Sequence, residues 1–157
     1  VTKNINSIPS EAVIMVEPHI VKIPGRVNMQ DTFALEGVRL AFRKATTEKP
    51  ELYYLSRFFK GYSQDRISTT FNINVKKSAW YQLNYTGSTN HSGKFFELWQ
   101  NKTLVAEIDY DPKIDDRTSS RYKVYLEQGH HKLQLSAVRE GFDFWSIGWL
   151  DFTELAH

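Results

Sequence analysis

ISTTFNINVKKSAWYQLNY, Ile67 to Tyr85, decides the fold. Ile67, Phe71, Ile73 and Val75 fall on one face of an extended chain, and Ser68, Asn72 and Asn74 fall on the other. Lys76-Lys77-Ser78 turns the chain, and Ala79, Tyr81, Leu83 and Tyr85 then share a face. Side chains alternate across a strand with a period of two. The stretch therefore reads as two half-buried strands joined by a turn, with no 3.6-residue period.

The same signature recurs on both sides. Downstream, TGSTNHSG from Thr86 reads as a flexible loop. Phe96 and Leu98 then point one way, and Phe95, Glu97 and Trp99 the other. Gln100-Asn101-Lys102 is a hairpin turn into Leu104, Ala106 and Ile108, and Asp109 to Ser120 is a long polar loop. Tyr122, Val124 and Leu126 alternate, Gln128-Gly129 turns, and Leu133, Leu135 and Ala137 follow. A last strand runs from Ile147 to Leu155. Upstream, Val38, Leu40 and Phe42 alternate after Gly37, and Pro24-Gly25 marks a turn. Glu11 to Ile23 is an apolar run broken by Pro18, either two short strands or one interrupted edge strand. About eight to ten short strands with turn chemistry between them fit an all-β, antiparallel sandwich or barrel. Residues 1–12 read as a linker or N-terminal extension, and 13–157 as one module.

Composition narrows the function classes. The 157 residues suffice for one domain with a proper core. With 24% charged and 41% hydrophobic residues the chain is globular. A net charge of +2 argues against a nucleic-acid binder. No cysteine is present, which removes disulfides, thiol catalysis and thiolate-bound zinc. No apolar run approaches ~20 residues, so no membrane-spanning helix is expected. No signal peptide is visible at Val1; the numbering starts after a removed one, or the chain is one module of a larger protein.

REGFDFWSIGWLDFTEL, Arg139 to Leu155, is the chemically distinctive stretch. Phe142 to Trp145 fall ahead of the last strand, where a loop is expected. A loop carrying Phe144 and Trp145 beside Arg139 and Asp143 suits a surface that stacks on a flat ligand and hydrogen-bonds its edges. Trp149 reads as core. His130-His131 reads as a solvated turn, because neighbouring strand residues face opposite ways. Asp109, Asp111, Asp115 and Asp116 lack the spacing of a calcium-binding loop and read as a solvated acidic loop.

In this order and spacing, four segments resemble family 6 carbohydrate-binding modules. They are IPGRVNMQDTFALEGVRL from Ile23, KGYSQDRISTTFNINV from Lys60, the hairpin around Gly129, His131, Leu133 and Leu135, and GFDFWSIGWLDF from Gly141. The resemblance covers about Ile23 to Leu155. It implies a β-jelly-roll sandwich and a non-catalytic, secreted or cell-surface module that binds a polysaccharide or oligosaccharide. It also implies a monomer tethered to a polysaccharide-degrading catalytic domain. The family's main glycan site lies in loops at one end of the sandwich. The matching positions are Tyr62, Ser146 and, near a missing tryptophan, Tyr110; Trp145, Phe144, Asp143 and Arg139 complete the expected set. A second family site, on one sheet face, would take Trp80, Glu97, Trp99 and Tyr125. The family's structural calcium (Ca2+) would fall to Asn28, Gln30 and Asp151, where amides replace two carboxylates. The competing readings are a small jelly-roll polysaccharide lyase or glycosidase and a protein-binding adhesion sandwich. Arg139, Glu140 and Asp143 form no recognised catalytic motif.

Overall fold

The computed structural model describes residues 19–58, 66–89, 93–110, 122–138 and 144–155. Its strands are β1 (Ile20–Ile23), β2 (Gly25–Asn28), β3 (Ala34–Glu36), β4 (Arg39–Arg43), β5 (Leu52–Phe58), β6 (Arg66–Val75), β7 (Ala79–Thr89), β8 (Gly93–Gln100), β9 (Thr103–Tyr110), β10 (Tyr122–Leu126), β11 (Gly129–Val138) and β12 (Phe144–Glu154). A 3-10 turn, Met29–Asp31, follows β2. One sheet runs β9-β8-β11-β6-β1, with β3 also on β6. The other runs β10-β7-β12-β5-β4, with β2 also on β12.

The alternation read from Ile67 to Tyr85 explains how the two sheets meet. β6 buries Ile67, Phe71, Ile73 and Val75 and β7 buries Tyr81, Leu83 and Tyr85, each at 7% exposure or less. β11 adds Leu133, Leu135 and Ala137, and β12 adds Trp145, Ile147, Leu150 and Phe152. Each fully buried large apolar side chain contributes about 1.5–3 kcal/mol. The Lys76–Ser78 turn carries the chain from the first sheet to the second, so β6 and β7 face each other across the core. The all-β sandwich is as expected.

Three local expectations need correction. Thr86 to Thr89, read as loop, continue β7 and pair with β12, Thr89 lying opposite Trp145. Phe95, read as outward, is 1% exposed and packs on Tyr85, Phe96, Tyr110 and Trp145. The ladder between β8 and β9 is irregular there, and that frees Phe95 from strict alternation. Finally, β12 begins at Phe144, so Phe144 and Trp145 belong to the strand and not to a loop before it.

Gly87 shows how closely these strands approach. A methyl group there would sit 2.7 Å from the Ser146 carbonyl oxygen and about 3.1 Å from the Phe95 ring. The carbonyl is backbone and cannot swing away. Gly87→Ala is expected to cost about 1–3 kcal/mol, the range for overpacking a tight interior; urea denaturation reads it, and an unchanged midpoint would disprove the clash.

Candidate functional site

The strand ends that flank positions 62, 139 and 143 in the sequence are paired within their sheets. Phe58 lies opposite Phe144, Arg66 opposite Val138, and Thr89 opposite Trp145. Tyr62, Arg139 and Asp143 themselves lie outside the described residues. Phe144 is half-buried, and its carbonyl accepts the Thr89 hydroxyl at 2.7 Å. Ser146 is half-buried opposite Ser56 and Ser88.

Trp145 is the main correction here. Its side chain is 0% exposed, its Nε1–H donates to the Phe95 carbonyl at 2.9 Å, and its ring lies 5.7 Å from the Phe95 ring. Position 145 shares the inward face of β12 with Ile147, and the indole has its polar partner inside, so nothing drives it to water. Tyr110 is likewise only 5% exposed, with its ring 5.2 Å from Phe95. Neither ring offers an open face for stacking.

The four residues expected on one sheet face divide between two. Glu97 and Trp99 stand on β8, on the outer face of the first sheet, whereas Trp80 and Tyr125 stand on β7 and β10, on the outer face of the second. The sandwich lies between the pairs, so they cannot form one site.

On the first sheet, strand register aligns two rows across five strands. One reads Glu107, Glu97, Ser136, Ser68, Glu36. The other reads Leu104, Trp99, Gln134, Thr70, Ala34. Neighbouring strands are about 4.8 Å apart, so each row spans about 19 Å. Trp99, Asn101, Lys102, Gln134, Ser136, Ser68, Glu36 and Arg66 line a shallow groove of about 350 Å3. Gln134 Nε2–H donates to Ser68 Oγ at 3.0 Å, which fixes that amide. Sequence reading missed Gln134, Ser136, Ser68 and Glu36 as partners of Trp99. The alternation Leu133, Leu135, Ala137 places 134 and 136 outward, but nothing in the sequence says that β11 lies beside β8.

On the second sheet, Trp80 and Tyr125 are directly opposite one another and 55% and 38% exposed. Their rings lie 5.5 Å apart at 67°. They border a groove of about 670 Å3 with Lys77, Ser78, Lys123 and Glu154.

No protein-family model matches the sequence, and no curated protein matches it. Solved structures match the fold over most of the chain. The C-terminal family 6 module of LamC, a marine laminarinase from Zobellia galactanivorans, aligns with a TM-score of 0.60 at 17% identity over 82% of this chain and 98% of the module. A β-1,3-glucan-binding family 6 module from Bacillus halodurans aligns at 0.63 and 10% identity, covering 86% and 99%. A Clostridium stercorarium module in complex with cellobiose aligns at 0.57 and 15%, covering 87% and 98%. The fold is that of family 6 carbohydrate-binding modules.

Within this family 6 fold, the residues matching the calcium position can be tested by their surroundings. β2 pairs with β12 so that Asp151 lies opposite Arg26, and Trp149 opposite Asn28. The Arg26 guanidinium stacks 4.0 Å over the Trp149 ring, and its Nε lies 3.8 Å from Asp151 Oδ1. Trp149, expected in the core, is thus half-buried on the outer face beneath a cation. Gln30 is exposed. Asp31 accepts the Asn28 backbone N–H at 3.3 Å and lies 3.9 Å from His19. Among the described residues, no group of three or more His, Asp or Glu side chains is placed to hold a metal. Calcium takes six to eight oxygens, and charge count sets its affinity. One carboxylate already facing a guanidinium, with two amides, does not fit that demand.

A calcium site filled at 100 times its dissociation constant would add about 2.7 kcal/mol, or roughly 5–11 °C in Tm for a chain this size. EDTA and added calcium are both expected to leave the melting midpoint unmoved; a shift of that size would show that the folded chain holds calcium.

Proposed function

We propose that this chain is a non-catalytic carbohydrate-binding module that lays a neutral polysaccharide across the outer face of its first sheet, on Trp99. One observation carries the reading: the register that sets the indole–amide row beside the carboxylate–hydroxyl row. A pyranose ring has C–H faces that pack on an aromatic plane and hydroxyl edges that need hydrogen-bond partners. Trp99 supplies the plane. Glu97, Glu36, Ser68 and Gln134 supply acceptors and donors along the edges. Glu36 and Glu97 accept from sugar hydroxyls, and Arg66 and Lys102 at the groove with Lys94 on Glu107 offset their charge, so a neutral glycan is the fitting class. The names of two neighbours, a β-1,3-glucan binder and a cellobiose complex, make β-linked glucans the first ligands to test.

Few groups are fully desolvated on such an open face, so a single site should bind weakly, with a dissociation constant on the order of micromolar to millimolar. Weak binding suffices for a secreted module tethered to a polysaccharide-degrading enzyme, because the tether raises the enzyme's effective concentration on its substrate.

Affinity electrophoresis in gels containing laminarin or hydroxyethylcellulose tests the reading. Retardation of the protein by at least one, with no new reducing ends released, is the expected result. Mobility unchanged in every neutral glycan would overturn it, and product release would favour the enzyme reading.

A further inference from the structure

The corner formed by Trp80 and Tyr125 lies on the face opposite Trp99. Its groove of about 670 Å3 is lined by Lys77, Ser78, Ala79, Trp80, Lys123, Tyr125, Glu154 and Leu155. Two ammonium groups thus stand against one carboxylate. That carboxylate is already engaged, since Lys77 Nζ lies 3.5 Å from Glu154 Oε1. Ser78 Oγ is also occupied, donating to Glu127 Oε2 at 3.1 Å and accepting the Gln128 N–H at 2.9 Å. Glu127 does not line the groove. Lys123 is outward on β10, beside Gln82, and among the described residues no carboxylate pairs with it within 4.0 Å.

The two rings make a right-angled seat. They are cross-strand neighbours, 67° apart in plane, so one can lie under a ring while the other walls its edge. A tryptophan that is 55% exposed on a sheet face leaves a large apolar area in water, which is unfavourable without a partner. An apolar seat with a free ammonium at its rim matches a ligand with a flat C–H face and a negative substituent.

We propose that this corner is a second, independent subsite for an anionic sugar residue, bearing a uronate or a sulfate ester, of an acidic polysaccharide. The sugar ring stacks on Trp80, Tyr125 flanks it, and Lys123 meets the anion, with the Lys77–Glu154 ion pair beside it. The inference rests on the reading of the chain as a glycan binder, but it uses neither Trp99 nor the carboxylate row. It gives the module a second binding face, suited to charged stretches of polymer.

Isothermal titration of the whole chain with a polyuronate (alginate) and a sulfated galactan (carrageenan), alongside laminarin, provides the test. Trp80→Ala, Lys123→Gln and Trp99→Ala are compared with the parent. All three side chains stand on outer faces, and denaturation curves check that each variant is folded. At least one acidic polymer is expected to bind, more weakly as NaCl rises from about 50 to 500 mM, because salt screens exposed charges. Trp80→Ala should weaken that binding at least tenfold. Lys123→Gln should weaken it severalfold and flatten its salt dependence. Trp99→Ala should leave it unchanged. Response to uronate alone or sulfate alone assigns the anion. Laminarin binding with neither acidic polymer bound would overturn the subsite and leave the neutral-glycan reading standing. Acidic binding lost in Trp99→Ala but kept in Trp80→Ala, or indifferent to salt, would also overturn it. No binding to any of the three, together with none to hydroxyethylcellulose, would remove both readings.

Discussion

Trp145→Ala is expected to lower the unfolding free energy by about 4 kcal/mol, within the 3–5 kcal/mol range for truncating a buried Phe or Trp. The side chain is 0% exposed and its ring contacts Phe95, which in turn packs on Tyr85, Phe96 and Tyr110. The truncation opens a large cavity among these rings and also removes the donor bonded to the Phe95 carbonyl, a loss of about 1 kcal/mol in its own right. Against a total stability of roughly 5–15 kcal/mol this threatens the fold. Trp145→Phe keeps much of the volume and should lose less. Denaturant unfolding measures both. A loss below about 1 kcal/mol for the alanine variant would mean that the indole does not hold the interior together. Any glycan-binding defect in Trp145→Ala therefore reports unfolding, and the exposed-indole picture of the last strand cannot be tested with it.

Trp99→Ala is expected to show the opposite pattern. Its indole is half-buried on an outer face, so its removal should cost under about 1 kcal/mol of stability, the span of strand propensities. Affinity for a retained neutral glycan should fall by about 2 kcal/mol, roughly 30-fold, the loss typical of a central aromatic anchor. Gln134→Ala should do less, because it removes one edge partner and leaves the plane. Titration calorimetry alongside denaturation separates the two quantities. Undiminished affinity in folded Trp99→Ala would move the neutral-glycan site away from this face.

The sequence was most legible where one strand's alternation is unbroken. Ile67 to Val75 and Tyr81 to Tyr85 bury the residues that the period of two selects. It was least legible at β12, for one identifiable reason. Trp145 and Ile147 point inward at odd positions, and Leu150 and Phe152 point inward at even ones. The switch occurs at Gly148, where the register with β7 slips between Ile147 and Trp149. There a Cβ would press on the Thr86 methyl group. A bulge adds one residue and reverses the faces beyond it. Without it in view, Trp145 looked like a loop residue and Trp149 like core, and both assignments came out inverted. The Trp99 face was half legible. Outward positions could be named strand by strand, but the order β9-β8-β11-β6-β3 that lines them up is set by pairing across distant segments. The same limit put Trp80 and Tyr125 in one group with Trp99.

The position of β12 also governs how the molecule is made. It pairs with β7 on one side and with β5 and β2 on the other, yet it follows all three in the chain. During synthesis the second sheet is therefore an open slot, with two bare backbone edges, until residues 144–154 leave the ribosome. Contacts this distant in sequence close slowly, and unpaired edges meanwhile recruit foreign strands. A nascent chain stopped short of Phe144 is thus a sticky half-product and not a smaller version of the domain.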